Sequence, residues 1–343
     1  RVYGLAYGAY NVKDYANALA ALDYIIFEKG KGSSLYFDAM KLSLRARREQ
    51  ITEDYVFTIE ELLPLDSTYE KFINELGRNN RTAPFMLEQA DLQGRYLNNI
   101  PKGIALLEEL LRLGGVAPET QGQAKLMLGD YQLILGEEWE ATLLYSQVDK
   151  EFNEGPLGED ARFRNAKLAY YQGDFEWAQA QFDILKSATS KVISNDAIDQ
   201  SVFIMENMGL DTVETPMLMY AEAELLVFQH KYSGAFAKLD SIRQLYPKHE
   251  LEDDILYLEA HTDVLLKDYA NAETNFTKVF TDYKDEIRAD NALFELAELY
   301  ENQLNDPEKA KVLYEKLFID FTNSTLATEA RKRFRVLRGD AIQ

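Results

Sequence analysis

The chain has 343 residues, 46% of them hydrophobic, with no cysteine and a formal net charge of −21. That acidic balance excludes a nucleic-acid binder built on a basic face, since counterion release needs Lys and Arg clustered against phosphate, and it fits either a basic protein partner or plain solubility. The missing cysteines exclude disulfides, thiolate nucleophiles and Cys-ligated metals, and no apolar run reaches the roughly 18 residues of a membrane span.

Along the chain, Lys13-Asp14-Tyr15-Ala16-Asn17-Ala18 returns residue for residue as Lys267-Asp268-Tyr269-Ala270-Asn271-Ala272. Residues 1–29 therefore read as the end of a first helix followed by a second. The opening Arg1-Val2-Tyr3 has neither Met nor an apolar leader, so a fragment or processed product is expected, which leaves room for a removed signal or lipid anchor. Gly30-Lys31-Gly32-Ser33-Ser34 lacks the spacing of a phosphate loop and reads as a turn. Residues 34–80 are expected to hold three helices, broken at Gln50-Ile51-Thr52 and at Pro64-Leu65-Asp66. Asn99-Ile100-Pro101-Lys102-Gly103 is similar to the stretch from Asn305 to Ala310.

From residue 121 the chain repeats itself. Leu126-x-x-Gly129, Phe163-x-x-Ala166, Tyr220-x-x-Ala223, Tyr257-x-x-Ala260 and Phe294-x-x-Ala297 follow one another at spacings of 37, 57, 37 and 37 residues. A constant period in this range is the signature of a solenoid, in which each unit buries its apolar face against its neighbours. Each unit also has a second half. Breaks at Gly136-Glu137-Glu138, Gly173-Asp174, His230-Lys231, Lys267-Asp268 and Asn305-Asp306-Pro307 lead into Ala141, Ala178, Ala235, Ala272 and Ala310. Four residues later stand Tyr145, Phe182, Leu239, Phe276 and Tyr314, which puts a small and a large residue on one helical face. Asp306 before Pro307 predicts an N-cap and the proline favoured at the first helical position. The unit is thus a helix, a tight turn and a second helix.

These residues resemble the tetratricopeptide repeat family. Leu128, Gly129, Ala141 and Tyr145 match its consensus in one unit, and Ala223, Ala235 and Pro247 in another. The period here is longer than the family's, the consensus first-helix Trp is absent, and Pro closes a unit once. The resemblance covers roughly residues 83–338. It implies an all-α protein, an α-α superhelix built as a right-handed solenoid of tetratricopeptide-like hairpins. The expected division is 1–82, irregular N-terminal helical repeats; 83–187, repeats; 188–214, an inserted segment; 215–322, repeats; and 323–343, a capping helix and tail. The insertion accounts for the 57-residue spacing and carries the apolar run Val202-Phe203-Ile204-Met205. Gly173 to Ala178, with Leu185-Lys186 and Thr189 to Ala197, is similar to exported tetratricopeptide proteins of Bacteroidota-type bacteria, which implies a lipoprotein in a periplasmic or outer-membrane setting, with a cytoplasmic location as the alternative. The basic run Ala330 to Arg338 reads as a helix covering the last hairpin.

Recognisable catalytic patterns are missing. His230, His249 and His261 have no metal-ligand spacing, and acidic pairs such as Glu60-Glu61, Glu108-Glu109 and Asp253-Asp254 are unspecific in a chain with 58 acidic residues. The expectation is a non-enzyme without cofactor or metal. The resemblance implies that first helices line a concave face, which makes Phe163, Lys167, Tyr220, Glu224, Tyr257, His261, Phe294 and Glu298 the candidate partner-binding residues. Their large side chains either grip a partner segment or pack against the neighbouring unit's second helix. The function expected is a protein-protein interaction scaffold in a bacterial envelope assembly or secretion complex, whose partners are other proteins, neither nucleic acid nor the membrane itself. The alternative is a carbohydrate-capturing nutrient-binding protein. Its sugar platforms would be Trp139 and Trp177, although packing between units is expected to occupy both.

Overall fold

A computed structural model describes residues 1–52, 58–153, 155–208, 214–247 and 249–340. All regular structure among the described residues is helical, with no strand. The chain divides into two compact units, Arg1–Tyr131 and Gln132–Gln343, and the division falls within α7 (Pro118–Leu135).

The first unit begins with the hairpin α1 (Val2–Asn11) and α2 (Tyr15–Asp23), followed by α3 (Tyr36–Thr52) and α4 (Ile59–Leu76). A second hairpin joins α5 (Ala83–Asp91), extended by a π turn over Leu92–Tyr96, to α6 (Ile100–Arg112). Two helices rather than three thus occupy the described part of 34–80. Pro64 lies inside α4. It removes the partner of the Glu60 carbonyl, and that turn is exposed, so water can take the freed acceptor and the helix continues. The expected break at residues 50–52 is where α3 ends.

The second unit contains α8 (Glu138–Glu151), then the hairpin of α9 (Pro156–Tyr171) and α10 (Phe175–Leu185), then α11 (Lys191–Asn207). Three further hairpins follow: α12 (Thr215–Phe228) with α13 (Tyr232–Leu245), α14 (Glu252–Leu265) with α15 (Tyr269–Asp282), and α16 (Ala289–Asn302) with α17 (Pro307–Asp320). The helix α18 (Ala327–Arg338) packs on α17. The expected insertion corresponds to α11, and residues 209–213 of the expected span lie outside the described residues.

One local device makes every tight turn. The residue before the N-cap of each second helix has a positive φ: Lys13, Asn98, Gly136, Gly173, His230, Lys267 and Asn305. Reversal there lets the next amide close back on the preceding helix, as in Asp174 N–H to the Ala169 carbonyl at 2.9 Å and Asp268 N–H to the Asp263 carbonyl at 2.8 Å. In five of these turns that next residue also caps the second helix with its side chain. The side chains of Asp14, Asn99, Asp174, Asp268 and Asp306 each accept from the backbone amide three residues on.

The small and large residues of the second helices form the spine of the core. Ala141, Ala178, Ala235, Ala272 and Ala310 are buried, as are Tyr145, Phe182, Leu239, Phe276 and Tyr314. A methyl group at one position admits the neighbouring helix closely, and the large residue one turn on fills the remaining space. The tryptophans do not follow this pattern. Trp139 is 84% exposed and Trp177 43%. Trp139 is the second residue of α8 and Trp177 the third of α10, and at that exposure packing between units does not occupy Trp139.

Candidate binding face

The candidate residues lie on the first helices of the second unit: Phe163 and Lys167 on α9, Tyr220 and Glu224 on α12, Tyr257 and His261 on α14, Phe294 and Glu298 on α16. Their large rings rest on their own hairpins. Phe163 meets Phe182 at 5.4 Å between centroids, Tyr257 meets Phe276 at 6.0 Å and Phe294 meets Tyr314 at 5.6 Å. These three remain half-buried. Tyr220 is 1% exposed, and its hydroxyl donates to the Asp254 carbonyl oxygen at 3.2 Å. Its ring supports the face from beneath.

The next position along each helix carries charge. Lys167 donates from Nζ to Glu224 Oε1 at 3.2 Å and to Gln200 Oε1 at 2.8 Å, and it sits 4.6 Å from the Tyr170 ring centroid. Burial pushes the Lys167 ammonium below its ordinary value, and Glu224 opposes that shift. His261 is exposed. Burial raises the Glu298 carboxyl, against the nearby Arg333 guanidinium.

Three features of the face were not legible beforehand. The first is α11, which crosses the first helices. Gln200 accepts from Lys167 on α9; the Phe203 ring lies 6.2 Å from Tyr170 and 5.2 Å from Tyr220; Asn207 Nδ2 donates to Asp254 Oδ2 of α14 at 3.2 Å. The second is Arg288, the N-cap residue of α16. It donates from Nε to Asp254 Oδ1 at 2.9 Å, and its guanidinium carbon lies 4.9 Å from the Phe203 centroid and 5.1 Å from that of Tyr257. The third is Glu295, which accepts from the Tyr257 hydroxyl. The apolar run around Phe203 was visible in the sequence, but nothing there said which helices it would touch.

Burial dominates the electrostatics. It pushes the Asp199 carboxyl up to about 6, with Arg288 opposing, and it lifts Asp196 as well. Burial also raises Asp253 and Asp254. On Asp254 the Arg288 guanidinium and the Asn207 amide oppose it, and on Asp253 the neighbouring Asp254 carboxylate adds to it. Among the described residues no group of three or more His, Asp or Glu could hold a metal ion, and no helix is long and apolar enough to cross a membrane.

The fold defines an α-helical-hairpin repeat protein. No family model matches the chain, and no curated protein matches its sequence. Among solved structures it is similar to a tetratricopeptide repeat protein from Parabacteroides merdae, at 14% identity and a TM-score of 0.44, over 81% of this chain and 90% of that one. It is also similar to the apo form of RapI, at 14% identity and a TM-score of 0.44, over 98% and 96% of the two chains. A monomeric IFIT1 mutant with a capped RNA aligns at 14% identity and a TM-score of 0.37, over 97% and 71%. Similarity at this level bears on neither the family nor the function of this chain.

Proposed function

We propose that this chain is a non-enzymatic scaffold that holds segments of partner proteins along the first-helix face of its second unit, as a subunit of a bacterial cell-envelope assembly. One observation carries the reading: four hairpins jointly hold a helix, α11, through Lys167, Tyr220, Asp254 and Arg288. A surface that grips a helix of its own chain has the chemistry to grip a partner's. The envelope setting rests on the likeness of Gly173–Ala178 and Thr189–Ala197 to exported repeat proteins. Pull-down from an envelope fraction with the wild type and His261→Ala/Glu298→Ala tests both parts. Defined proteins captured by the wild type and lost by the variant support the reading; capture unaffected by the substitutions places the contacts elsewhere, and recovery from the cytosolic fraction alone removes the envelope role.

Carbohydrate capture is favoured by a different observation, the 84% exposed indole of Trp139, an open ring face of the kind sugars stack on. Glycan binding that disappears in Trp139→Ala would support it, whereas binding to protein alone would end it.

A further inference from the structure

The first-helix face is complete without α11. The spacing from Phe163 to Tyr220 exceeds the 37-residue period by 20 residues, and α12 packs directly on α9, so the stack continues past the insertion. The cations of the face also have carboxylates of their own. Lys167 pairs with Glu224 at 3.2 Å and Arg288 with Asp254 at 2.9 Å, all four from the repeats. Besides two half-buried carboxylates, Asp196 acting on Lys167 and Asp199 on Arg288, α11 supplies amides and an aromatic ring: Gln200 on Lys167, Asn207 on Asp254, and Phe203 between Tyr170, Tyr220 and Arg288. Departure of α11 would therefore leave neither cation without a counter-charge, which is the usual obstacle to opening a buried polar interface. On the far side α11 is tied to α10 by hydroxyl and amide contacts, Gln179 Nε2 to Ser201 Oγ at 2.6 Å and Ser201 Oγ to Asp183 Oδ1 at 3.0 Å. Its outward residues Val192 and Met205 are exposed.

We infer that the slot around Phe203 is a recognition site for a helix bearing an aromatic residue with carboxamides about one turn to either side, and that α11 is its resident, exchangeable occupant. On α11 these groups fall at positions 200, 203 and 207, one helical stripe. A partner helix with the same stripe replaces α11 ring for ring and amide for amide. The inference rests on the scaffold reading and adds its ligand chemistry and its regulation: while α11 is seated, apparent affinity for an outside helix is lowered by the fraction of time the slot is free.

The test uses the full chain and a labelled synthetic peptide of residues 190–208, followed by fluorescence anisotropy. The cysteine-free sequence permits a lock, Asp183→Cys/Ser201→Cys, across the 3.0 Å contact between these side chains. Three results are expected: the chain carrying Phe203→Ala binds the peptide at least ten-fold more tightly than the wild type, the oxidised lock binds at least ten-fold more weakly than its reduced form, and a peptide with Phe203→Ala binds at least ten-fold more weakly than the parent. Hydrogen exchange on the unsubstituted chain gives a second readout, with α11 amides exchanging ahead of those in α9 and α12. The inference is overturned if the peptide binds none of these forms, if oxidised and reduced locks bind alike, or if α11 exchanges only with global unfolding. Partner capture that persists with α11 locked would leave the scaffold reading standing while removing this one.

Discussion

Arg288 and Asp254 form an ion pair of 2.9 Å in which the side chains are only 8% and 3% exposed, and the Arg288 guanidinium also lies against Phe203 and Tyr257. One residue caps α16 and the other stands in the first turn of α14, so the pair joins two successive hairpins. Arg288→Met strands a buried carboxylate and is expected to cost about 3–5 kcal/mol, while Arg288→Met/Asp254→Leu recovers a large part of that. Denaturant midpoints of the three proteins measure the difference, and equal loss in single and double variants would show that the pair is not the cause.

The Asp253 carboxyl, lifted by burial, by Asp254 and by Glu286, gives the unit a pH signature. Its folded pKa lies above the unfolded Asp value of about 3.9. Within the window between those values the folded chain binds a proton that the unfolded chain does not, so this group's contribution to stability rises as pH falls and is lost as pH rises through the folded pKa. Asp253→Asn should therefore raise Tm relative to the wild type at pH 8 and change it far less at pH 5. A difference that is the same at both values counts against the assignment.

Left-handed residues at the hairpin turns are a reserve of strain. Lys267 holds φ at 62° where Gly173 occupies the same turn position without a Cβ penalty. Lys267→Gly should stabilise by about 0.5–1 kcal/mol, the relief of the left-handed cost less the entropy glycine loses on folding. Gly173→Lys should destabilise by a similar amount or more, because a Cβ there would stand 2.9 Å from a Leu218 methyl. Chemical denaturation of both variants settles the sign.

Two other glycines mark close approaches of different kinds. A Cβ on Gly94 would stand 2.2 Å from the Tyr131 ring, and one on Gly158 would stand 1.9 Å from the Phe152 carbonyl oxygen. Each change to Ala is expected to cost about 1–3 kcal/mol, with Gly158 at the upper end. Pairing Gly94→Ala with Tyr131→Leu should recover stability because the obstacle is a side chain. No single side-chain change should rescue Gly158→Ala, whose obstacle is backbone.

Exposure separates the aromatic residues energetically. Trp139→Ala should change stability by no more than about 0.5 kcal/mol, whereas Phe276→Ala, at a fully buried position, should cost about 3–5 kcal/mol. Thermal melts of the two variants check this.

The sequence by itself determined the hairpin. Ala178 and Phe182, Ala272 and Phe276, and Ala310 and Tyr314 recur one turn apart because each second helix needs a gap and a knob on one face, and that is a local, periodic constraint. The cap at Asp306 was legible beside Pro307, whereas those at Asp14, Asp174 and Asp268 emerged with the structure. The candidate face was legible only as a row of positions. Whether a ring at such a position is presented or submerged depends on its neighbours: Tyr257 is half-buried and Tyr220, at the equivalent position, is covered, because Phe203 and α14 close over it. Tertiary structure alone decided that α11 crosses the first helices, that Arg288 meets Asp254 from 34 residues away, and that Trp139 faces solvent. Those outcomes come from long-range packing, in which a charge or ring takes its place from elements far along the chain, and no period in the sequence encodes such a distance.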